Sequence, residues 1–404
     1  MSRRTWLVVG VLLATVTLVV VIVAVTSTST SPSSNAPGTS SAAPAPAAAS
    51  VTVPGGSQVV VAMGHLDDPS NTFYELFDRS PDSTSWELAT PPGVADNGGL
   101  IVGSAPAGAQ TAGFLPSAYL TFSVLARRSA TADPWTPGSV PGTLAAEPDG
   151  LATGTGGQVA AVLDRPVPEV VTAGAGLTTW RRLTTVAGLA RVPSRCAVDG
   201  VTSVAISSSG TPIVGTGCTG SSTAGLFADA PSGGWTPLGP LTVPGAPSAT
   251  TVLRLQAGTA GLTALVEGSR GAATTLVAVW GAGGTGLSGS APLAVPAGWS
   301  VLGTSVGGGR GRGVSVLLGS TVGPQRRVEA VDGPAAGSAG GTVAAWAVLP
   351  TPPSGTTAVA GIGAETDAFV PVGNRLTVWS ITPSADGWTR ASQQTVSLQY
   401  GSSS

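Results

Sequence analysis

The sequence predicts an all-β protein built from repeats, and three observations support this class. β-like runs recur about every fifty residues after residue 57, separated by turns rich in Gly, Ser, Asp or Pro. A tryptophan follows the turn in most of these repeats. Glycine is very frequent, with 58 residues in a chain of 404, and it shows no collagen-like period. Together these features are typical of a seven-bladed β-propeller, with six or eight blades as the fallback counts.

Each repeat contains a strand before its turn, which we take as the third strand of a blade. The seven candidates are residues 72–79, 121–127, 168–173, 224–228, 275–280, 327–331 and 376–381. A fourth strand follows the turn, and residues 291–295 form it in the fifth repeat, where the tryptophan is missing. In the other six repeats this strand carries a tryptophan, at Trp86, Trp135, Trp180, Trp235, Trp346 and Trp388.

A tryptophan at a repeated position mainly contributes apolar burial, so we interpret these six as structural packing residues. Stacking on a glycan is the alternative role. The first repeat has no strand before its second one, whereas residues 395–400 form a strand with no repeat of their own. We expect this C-terminal strand to complete the first blade and close the ring, which removes two free sheet edges.

The N-terminus predicts an export signal. An uninterrupted apolar stretch at residues 6–25 is long enough to cross a bilayer, and Arg3 and Arg4 before it favour an N-inside orientation. Residues 1–25 are therefore predicted to be an uncleaved signal anchor of a single-pass plasma-membrane protein with its propeller outside. A cleaved signal peptide, which would leave a secreted protein, is the alternative. Residues 26–56 lack charges and read as a disordered Ser/Thr/Pro/Ala linker, and residues 57–404 as the propeller domain.

Composition restricts the classes of partner. The chain has 18 basic and 20 acidic residues, and such a near-neutral surface excludes nucleic acid, which needs a clustered positive field. Cys196 and Cys218 are close in sequence in an exported chain, so we predict a disulfide rather than a metal site. The sequence points to no cofactor, and it leaves the oligomeric state unknown.

Three turns end in one of the repeated tryptophans. They read Ser-Pro-Asp-Ser-Thr-Ser-Trp at 80–86, Asp-Ala-Pro-Ser-Gly-Gly-Trp at 229–235 and Ser-Ala-Asp-Gly-Trp at 384–388. These turns resemble a degenerate Asp-box (BNR) repeat, S-x-D-x-G-x-T-W, of sialidase-like propellers. The resemblance covers residues 57–404 as a rhythm, and no turn matches the full pattern. It implies that the aspartate holds the turn and that the tryptophan packs between blades.

Charged residues concentrate in the loops between the second and third strands, which share one face of a propeller. Exposed loops on a rigid scaffold are where binding residues usually lie, and solvated loops without a partner are the alternative. The predicted partner-binding face comprises His65, Asp67, Asp68, Asn71, Asp164, Arg165, Glu267, Arg270, Asn374 and Arg375.

The sequence therefore predicts a membrane-tethered, extracytoplasmic interaction or scaffold module of the cell envelope, with an envelope protein or a glycan as its partner. A glycan-binding propeller and a sialidase-type glycoside hydrolase are the alternatives. The resemblance to sialidases would require an arginine cluster and a Tyr/Glu pair, whereas the inner strands carry Arg254 alone and Tyr400 has no visible glutamate partner. We therefore favour a non-catalytic role and name no catalytic or metal-binding residue.

Overall fold

Antiparallel strands are the main secondary structure of the described chain, as its Val- and Thr-rich runs between glycine turns predict. The computed structural model of the protein describes residues 49–51, 57–64, 72–79, 83–90, 100–103, 110–114, 121–127, 135–143, 148–163, 167–239, 241–245, 247–258, 261–281, 286–308, 313–331, 343–362, 365–382 and 385–396. The apolar stretch 6–25 and most of the predicted linker lie outside these residues. Within the described part of the chain, no helix is long and apolar enough to cross a membrane.

Along the chain the described strands fall into seven antiparallel meanders, which we number in chain order. The fourth and fifth meanders join into one nine-stranded sheet, because residues 217–219 pair with residues 249–251. A short strand, β1 (Ala49–Val51), precedes them. The first three meanders contain β2 Ser57–Gly64, β3 Thr72–Arg79 and β4 Glu87–Leu88; β5 Leu100–Val102, β6 Gln110–Phe114, β7 Thr121–Arg127 and β8 Thr136–Thr143; and β9 Gly150–Thr153, β10 Val159–Leu163, β11 Glu169–Ala173 and β12 Trp180–Thr185.

A helical turn, α1 (Val186–Ala190), links the third meander to the fourth. The remaining four meanders contain β13 Ala197–Ile206, β14 Pro212–Thr219, β15 Gly225–Asp229 and β16 Trp235–Pro237; β17 Ala249–Gly258, β18 Gly261–Arg270, β19 Ala273–Gly281, β20 Leu287–Gly289 and β21 Leu293–Val295; β22 Trp299–Gly308, β23 Gly313–Ser320, β24 Arg326–Val331 and β25 Ala347–Val348; and β26 Ala358–Ile362, β27 Glu365–Val372, β28 Arg375–Ile381 and β29 Thr389–Thr395.

Buried apolar side chains form a cluster between each meander and the next. Val60 of the first meander packs with Leu100 of the second, and corresponding clusters follow along the chain. The series closes on itself, because Phe77 of the first meander packs with Phe369 of the seventh. Sheets that pack face to face in such a series define a propeller-like all-β fold.

In the fifth meander, which lacks the repeated tryptophan, two short strands follow the third strand. The sequence predicts one strand at residues 291–295, whereas β20 and β21 both pair with β19 and are separated at Ser290. Leu287 of β20 packs into the cluster between the fourth and fifth meanders. Ser290 Oγ accepts hydrogen bonds from Ala278 N at 3.1 Å and from Trp346 Nε1 at 3.1 Å. A leucine and a buried hydroxyl thus occupy the region where other meanders use a tryptophan.

Strand β1 lies at the end of the segment that the sequence predicts as a linker. It pairs in parallel with β22, with Ser50 opposite Ser305 and Val51 opposite Val306. β22 is the first strand of the sixth meander, and its inner edge carries backbone groups that no other strand of this meander reaches. An extended segment such as β1 satisfies those N–H and C=O groups, which would otherwise be costly to bury.

The predicted closing strand 395–400 is only partly described. Thr395 is the last residue of β29, the fourth strand of the seventh meander, and residues 397–400 lie outside the described residues. Val396 N donates a hydrogen bond to Asn374 O at 2.8 Å, and Gln394 Nε2 donates to Trp86 O at 3.1 Å, so the described C-terminal chain contacts both its own meander and the first.

Candidate functional site

The second strand of each meander turns into the third at one end of the sheets, which we name the 2–3 end. Hydrogen bonds between neighbouring meanders bring these turns together: Gly64 N donates to Gly373 O at 3.0 Å, and Gly220 N donates to Ser248 O at 2.7 Å. Links from a fourth strand to the next first strand reach the same end, because the strands of a meander are antiparallel. We name the opposite end the 1–2 end.

Several residues of the predicted binding face lie at the 2–3 end. Arg270 ends β18 and Arg375 begins β28, and both side chains are exposed. Asn374 lies in the tight turn before β28, and its Nδ2 donates to Val396 O at 3.3 Å. The other predicted face residues except Glu267 lie outside the described residues: His65, Asp67, Asp68, Asn71, Asp164 and Arg165. Their place in a binding face stays a prediction.

The sequence predicts Glu267 in a loop, whereas the structure places it in a strand. It lies within β18, opposite Thr251 and Leu276, and its side chain is half-buried. Gly268 and Ser269 resemble a turn in sequence, but the strand continues through them, with Gly268 paired to Thr250 on one side and to Thr275 on the other. Burial raises the pKa of Glu267, which makes a charged, solvent-facing role for this carboxyl less favourable.

The first and seventh meanders are joined at the 1–2 end by an ion-pair network that the sequence reading did not find. Asp367 is fully buried and accepts hydrogen bonds from Arg79 Nη1 at 2.6 Å and from Trp86 Nε1 at 2.7 Å. Ser380 Oγ donates to its other oxygen at 2.5 Å, and Arg79 Nη2 also contacts Glu365 Oε2 at 3.0 Å. We call these five residues the first–last seam.

The polar groups of the first–last seam satisfy one another's hydrogen bonds. The Trp86 ring meets Phe369 edge-on, with ring centroids 4.9 Å apart and planes at 79°. Burial raises the pKa of Asp367, while the hydrogen bonds from Ser380, Trp86 and Arg79 and the charge of Arg79 act in the opposite direction. One sequence feature could have indicated this network: Asp367 stands inside the apolar run of β27. A buried charge requires hydrogen-bonding or charged partners.

Arg254 is a cation on the inner strands. Its Nη1 donates to Leu253 O at 3.1 Å, and its buried Nε has no hydrogen-bond partner among the described residues. Burial lowers the pKa of Arg254, and the charge of Asp149 opposes this change. Asp149 directly precedes β9 of the third meander, so the two charges belong to the first strands of different meanders. Among the first strands that the structure describes, Arg254 is the only arginine.

The six repeated tryptophans all contact interfaces between meanders. Trp86 is 2% exposed and packs between the seventh and first meanders, whereas the other five are partly buried in the clusters that their meanders share with the preceding one. Trp388 Nε1 donates to Pro350 O at 2.8 Å, and Trp346 Nε1 to Ala291 O at 2.9 Å. The indole N–H groups of Trp86, Trp346 and Trp388 are thus used within the fold, whereas Trp180 Nε1 is buried without a hydrogen-bond partner among the described residues.

The predicted disulfide between Cys196 and Cys218 is confirmed. Cys196 directly precedes β13, and Cys218 lies in β14 opposite Val198, so the bridge lies at the 2–3 end. Gly225 leaves room for it: an added Cβ would lie 2.7 Å and 2.8 Å from the two sulfurs and 2.0 Å from Thr216 Oγ1. The described residues contain no group of three or more His, Cys, Asp or Glu placed to hold a metal ion.

No protein-family model matches the sequence, and no curated protein matches it. Several solved structures align with this chain at TM-scores below 0.5. The SapL1 lectin, solved in complex with alpha methyl fucoside, aligns at a TM-score of 0.39 with 12% identity over 75% of this chain and 95% of the lectin. AofleA from Arthrobotrys oligospora aligns at 0.42 with 11% identity over 86% and 85%. The polysaccharide lyase Uly1 aligns at 0.44 with 9% identity over 79% and 84%.

The packing series and the bridge between Cys196 and Cys218 define the class: this chain is a propeller-like all-β protein with a disulfide.

Proposed function

We propose that this protein is a seven-bladed, membrane-tethered propeller outside the cytoplasm that binds a component of the cell envelope without catalysis. Its contact surface is the 2–3 end, and residues 1–56 are its anchor and linker. The observation that carries the proposal is the set of exposed turn residues at this end. Arg270, Val322 and Arg375 protrude from strands whose other side chains are largely buried.

Backbone hydrogen bonds within the turns at the 2–3 end support the proposal of a rigid contact surface there. Ser320 N donates to Gln325 O at 3.0 Å, and Thr321 N donates to Gly298 O at 2.8 Å, so backbone hydrogen bonds hold the turn that carries Val322. A contact residue on a held turn loses little conformational entropy on binding, which favours recognition.

The disulfide supports the proposed location outside the cytoplasm. Disulfides persist mainly in oxidising environments and are rare in the cytoplasm, so the bridge between Cys196 and Cys218 favours an extracytoplasmic location. An apolar stretch at residues 6–25 after Arg3 and Arg4 fits an N-inside anchor that exports the chain behind it.

The first–last seam supports the count of seven blades. Seven meanders form a closed series only if the first contacts the last, and Arg79, Trp86 and Asp367 make that contact through buried hydrogen bonds.

Site-specific photocross-linking in the intact envelope tests the proposed function. A photoreactive residue replaces Arg270 or Arg375 at the 2–3 end of the full chain, and Arg390 serves as the matched control because it is also an exposed arginine but lies on the outermost strand, β29. We expect cross-links to an envelope component from the 2–3 end and few from position 390. Equal products from all positions, or none, would show that the 2–3 end is not a contact surface.

A saccharide product would establish the glycan-binding alternative. That outcome would keep the 2–3 end as the binding site and change the class of its ligand.

A further inference from the structure

The first strands of successive meanders lie next to one another inside the closed series. β5 contacts β9, β9 contacts β13, β13 contacts β17, β17 contacts β22, and β22 contacts β26. In the first meander, β2 contacts both β5 and β26 and so completes the circuit. These strands therefore surround a common axis, and we call the space that they enclose the axial space.

A β-bulge recurs at the same level in three neighbouring first strands. The register shifts lie between residues 201 and 203 of β13, 252 and 254 of β17, and 301 and 303 of β22. The residues that follow these bulges are Ser203, Arg254 and Gly303. A bulge changes the direction of the side chains beside it. Of these three strands, only β17 places a long cationic side chain at this level.

The head of Arg254 extends towards the third meander. The charge of Asp149 acts on Arg254, although Asp149 precedes β9 and the fourth meander lies between the two in the series. Glu267 lies on the neighbouring strand β18, yet burial is the cause of its raised pKa. The guanidinium thus acts across the axial space rather than along its own sheet.

Arg254 has more hydrogen-bond donors than the described residues satisfy. Its Nη1 donates to Leu253 O at 3.1 Å, and its Nε is buried without an acceptor among the described residues. An arginine keeps its charge in a folded protein, so a buried N–H of this group requires an acceptor. Asp149 compensates for the charge only in part, because its own side chain is exposed and screened by solvent.

Buried hydroxyl groups on the neighbouring first strands also have donors to offer. The side-chain oxygens of Thr153, Ser203 and Thr304 are buried, and none has a hydrogen-bond partner among the described residues. They belong to the third, fourth and sixth meanders. An oxyanion accepts several hydrogen bonds and is attracted by a guanidinium, whereas a cation would be repelled by it. A donor-rich environment around one positive charge therefore matches an oxyanion.

We infer that the axial space holds a small oxyanion, a phosphate or a carboxylate group, bound by the guanidinium of Arg254. This site lies inside the ring and goes beyond the proposed contact surface at the 2–3 end, so each can fail without the other. It requires one arginine that binds an anion, and no reaction is assigned to it.

Isothermal titration calorimetry with inorganic phosphate tests this site. The full chain in a non-ionic detergent is titrated with sodium phosphate, with sodium acetate, and with sodium chloride at equal ionic strength. The variant Arg254→Gln removes the charge and keeps a polar side chain. Arg270→Gln is the matched control, because Arg270 ends β18 of the same meander and its side chain is exposed.

We expect saturable binding of phosphate or acetate to the wild type, and none of chloride with the same affinity. Arg254→Gln should weaken that binding by at least about tenfold, because charge-assisted hydrogen bonds to the anion are lost. Arg270→Gln should bind as the wild type does, and Arg254→Lys, which keeps the charge, should be intermediate. The bound anion should also raise the melting temperature of the wild type above its value in chloride, and this rise should be absent in Arg254→Gln.

Two results would overturn the inference. The first is no saturable binding of phosphate or acetate to the wild type beyond that of chloride, a result that does not depend on whether any variant folds. The second is an equal loss of binding in Arg254→Gln and Arg270→Gln, because general surface charge would then account for the affinity. Preference for acetate over phosphate, or the reverse, would support the site and identify which oxyanion it takes.

Discussion

The substitution Asp367→Ala addresses the first–last seam directly. It removes the acceptor for Arg79 and for the Trp86 indole N–H, and both donors are almost fully buried in the folded protein. Removing one partner of a buried ion pair costs about 3–5 kcal/mol, because the other charge stays buried without compensation. Arg79 keeps its contact with Glu365, which favours the lower end, about 3 kcal/mol for the pair.

The orphaned indole N–H of Trp86 adds about 1 kcal/mol. The sum, about 4 kcal/mol, is a large fraction of the 5–15 kcal/mol that typically stabilises a folded domain. At about 2 °C for each kcal/mol in a domain of this size, the melting temperature should fall by roughly 8 °C.

Glu365→Ala is the matched control for this loss. Glu365 contacts the same guanidinium at a similar distance, but its side chain is 38% exposed, so its removal should cost about 1 kcal/mol or less. Denaturant unfolding followed by tryptophan fluorescence measures both, since Trp86 lies in the first–last seam itself. Equal losses for Asp367→Ala and Glu365→Ala would refute the reasoning, because the buried hydrogen bonds would then contribute nothing beyond a surface ion pair.

Three further predictions concern stability. Gly225→Ala should cost about 1–3 kcal/mol by overpacking the disulfide. Gly174→Ala, where an added Cβ meets nothing within 4 Å, should cost less in the same denaturation assay; similar midpoints would contradict this view of the bridge. Reducing the bridge, which joins residues 22 apart, should cost about 3 kcal/mol by calorimetry on the chain-entropy account, and an unchanged melting temperature would contradict it. Burial raises the pKa of Glu75, so the folded protein holds this proton more tightly than the unfolded chain does. This stabilisation is present at low pH and is lost as pH rises through the folded pKa, so Glu75→Gln should lose less stability than the wild type between acidic and neutral pH. Parallel curves of melting temperature against pH would exclude that role.

Local features of the fold were predictable from the sequence. The repeat of strands, turns and tryptophans depends on residues close together in the chain, and the structure places all six tryptophans at interfaces between meanders. The pairing of Cys196 with Cys218 was predictable as well, because the chain has no other cysteine and the two flank one hairpin.

The candidate site was predictable only in part. Gly268 and Ser269 resemble a turn, and only pairing with the strands on both sides keeps Glu267 inside a strand. The 92% exposure of Val322 follows from the turn that the tertiary structure forms there.

By itself, the sequence determined that this protein is an all-β repeat with a disulfide, because period, turn composition and cysteine spacing are local properties. Only the tertiary structure decided how the first and last meanders meet and where β1 lies. Asp367 and Arg79 are separated by 288 residues, and β1 pairs with a strand of the sixth meander. Contacts at such separations depend on the three-dimensional closure of the whole series of sheets, which no local pattern encodes.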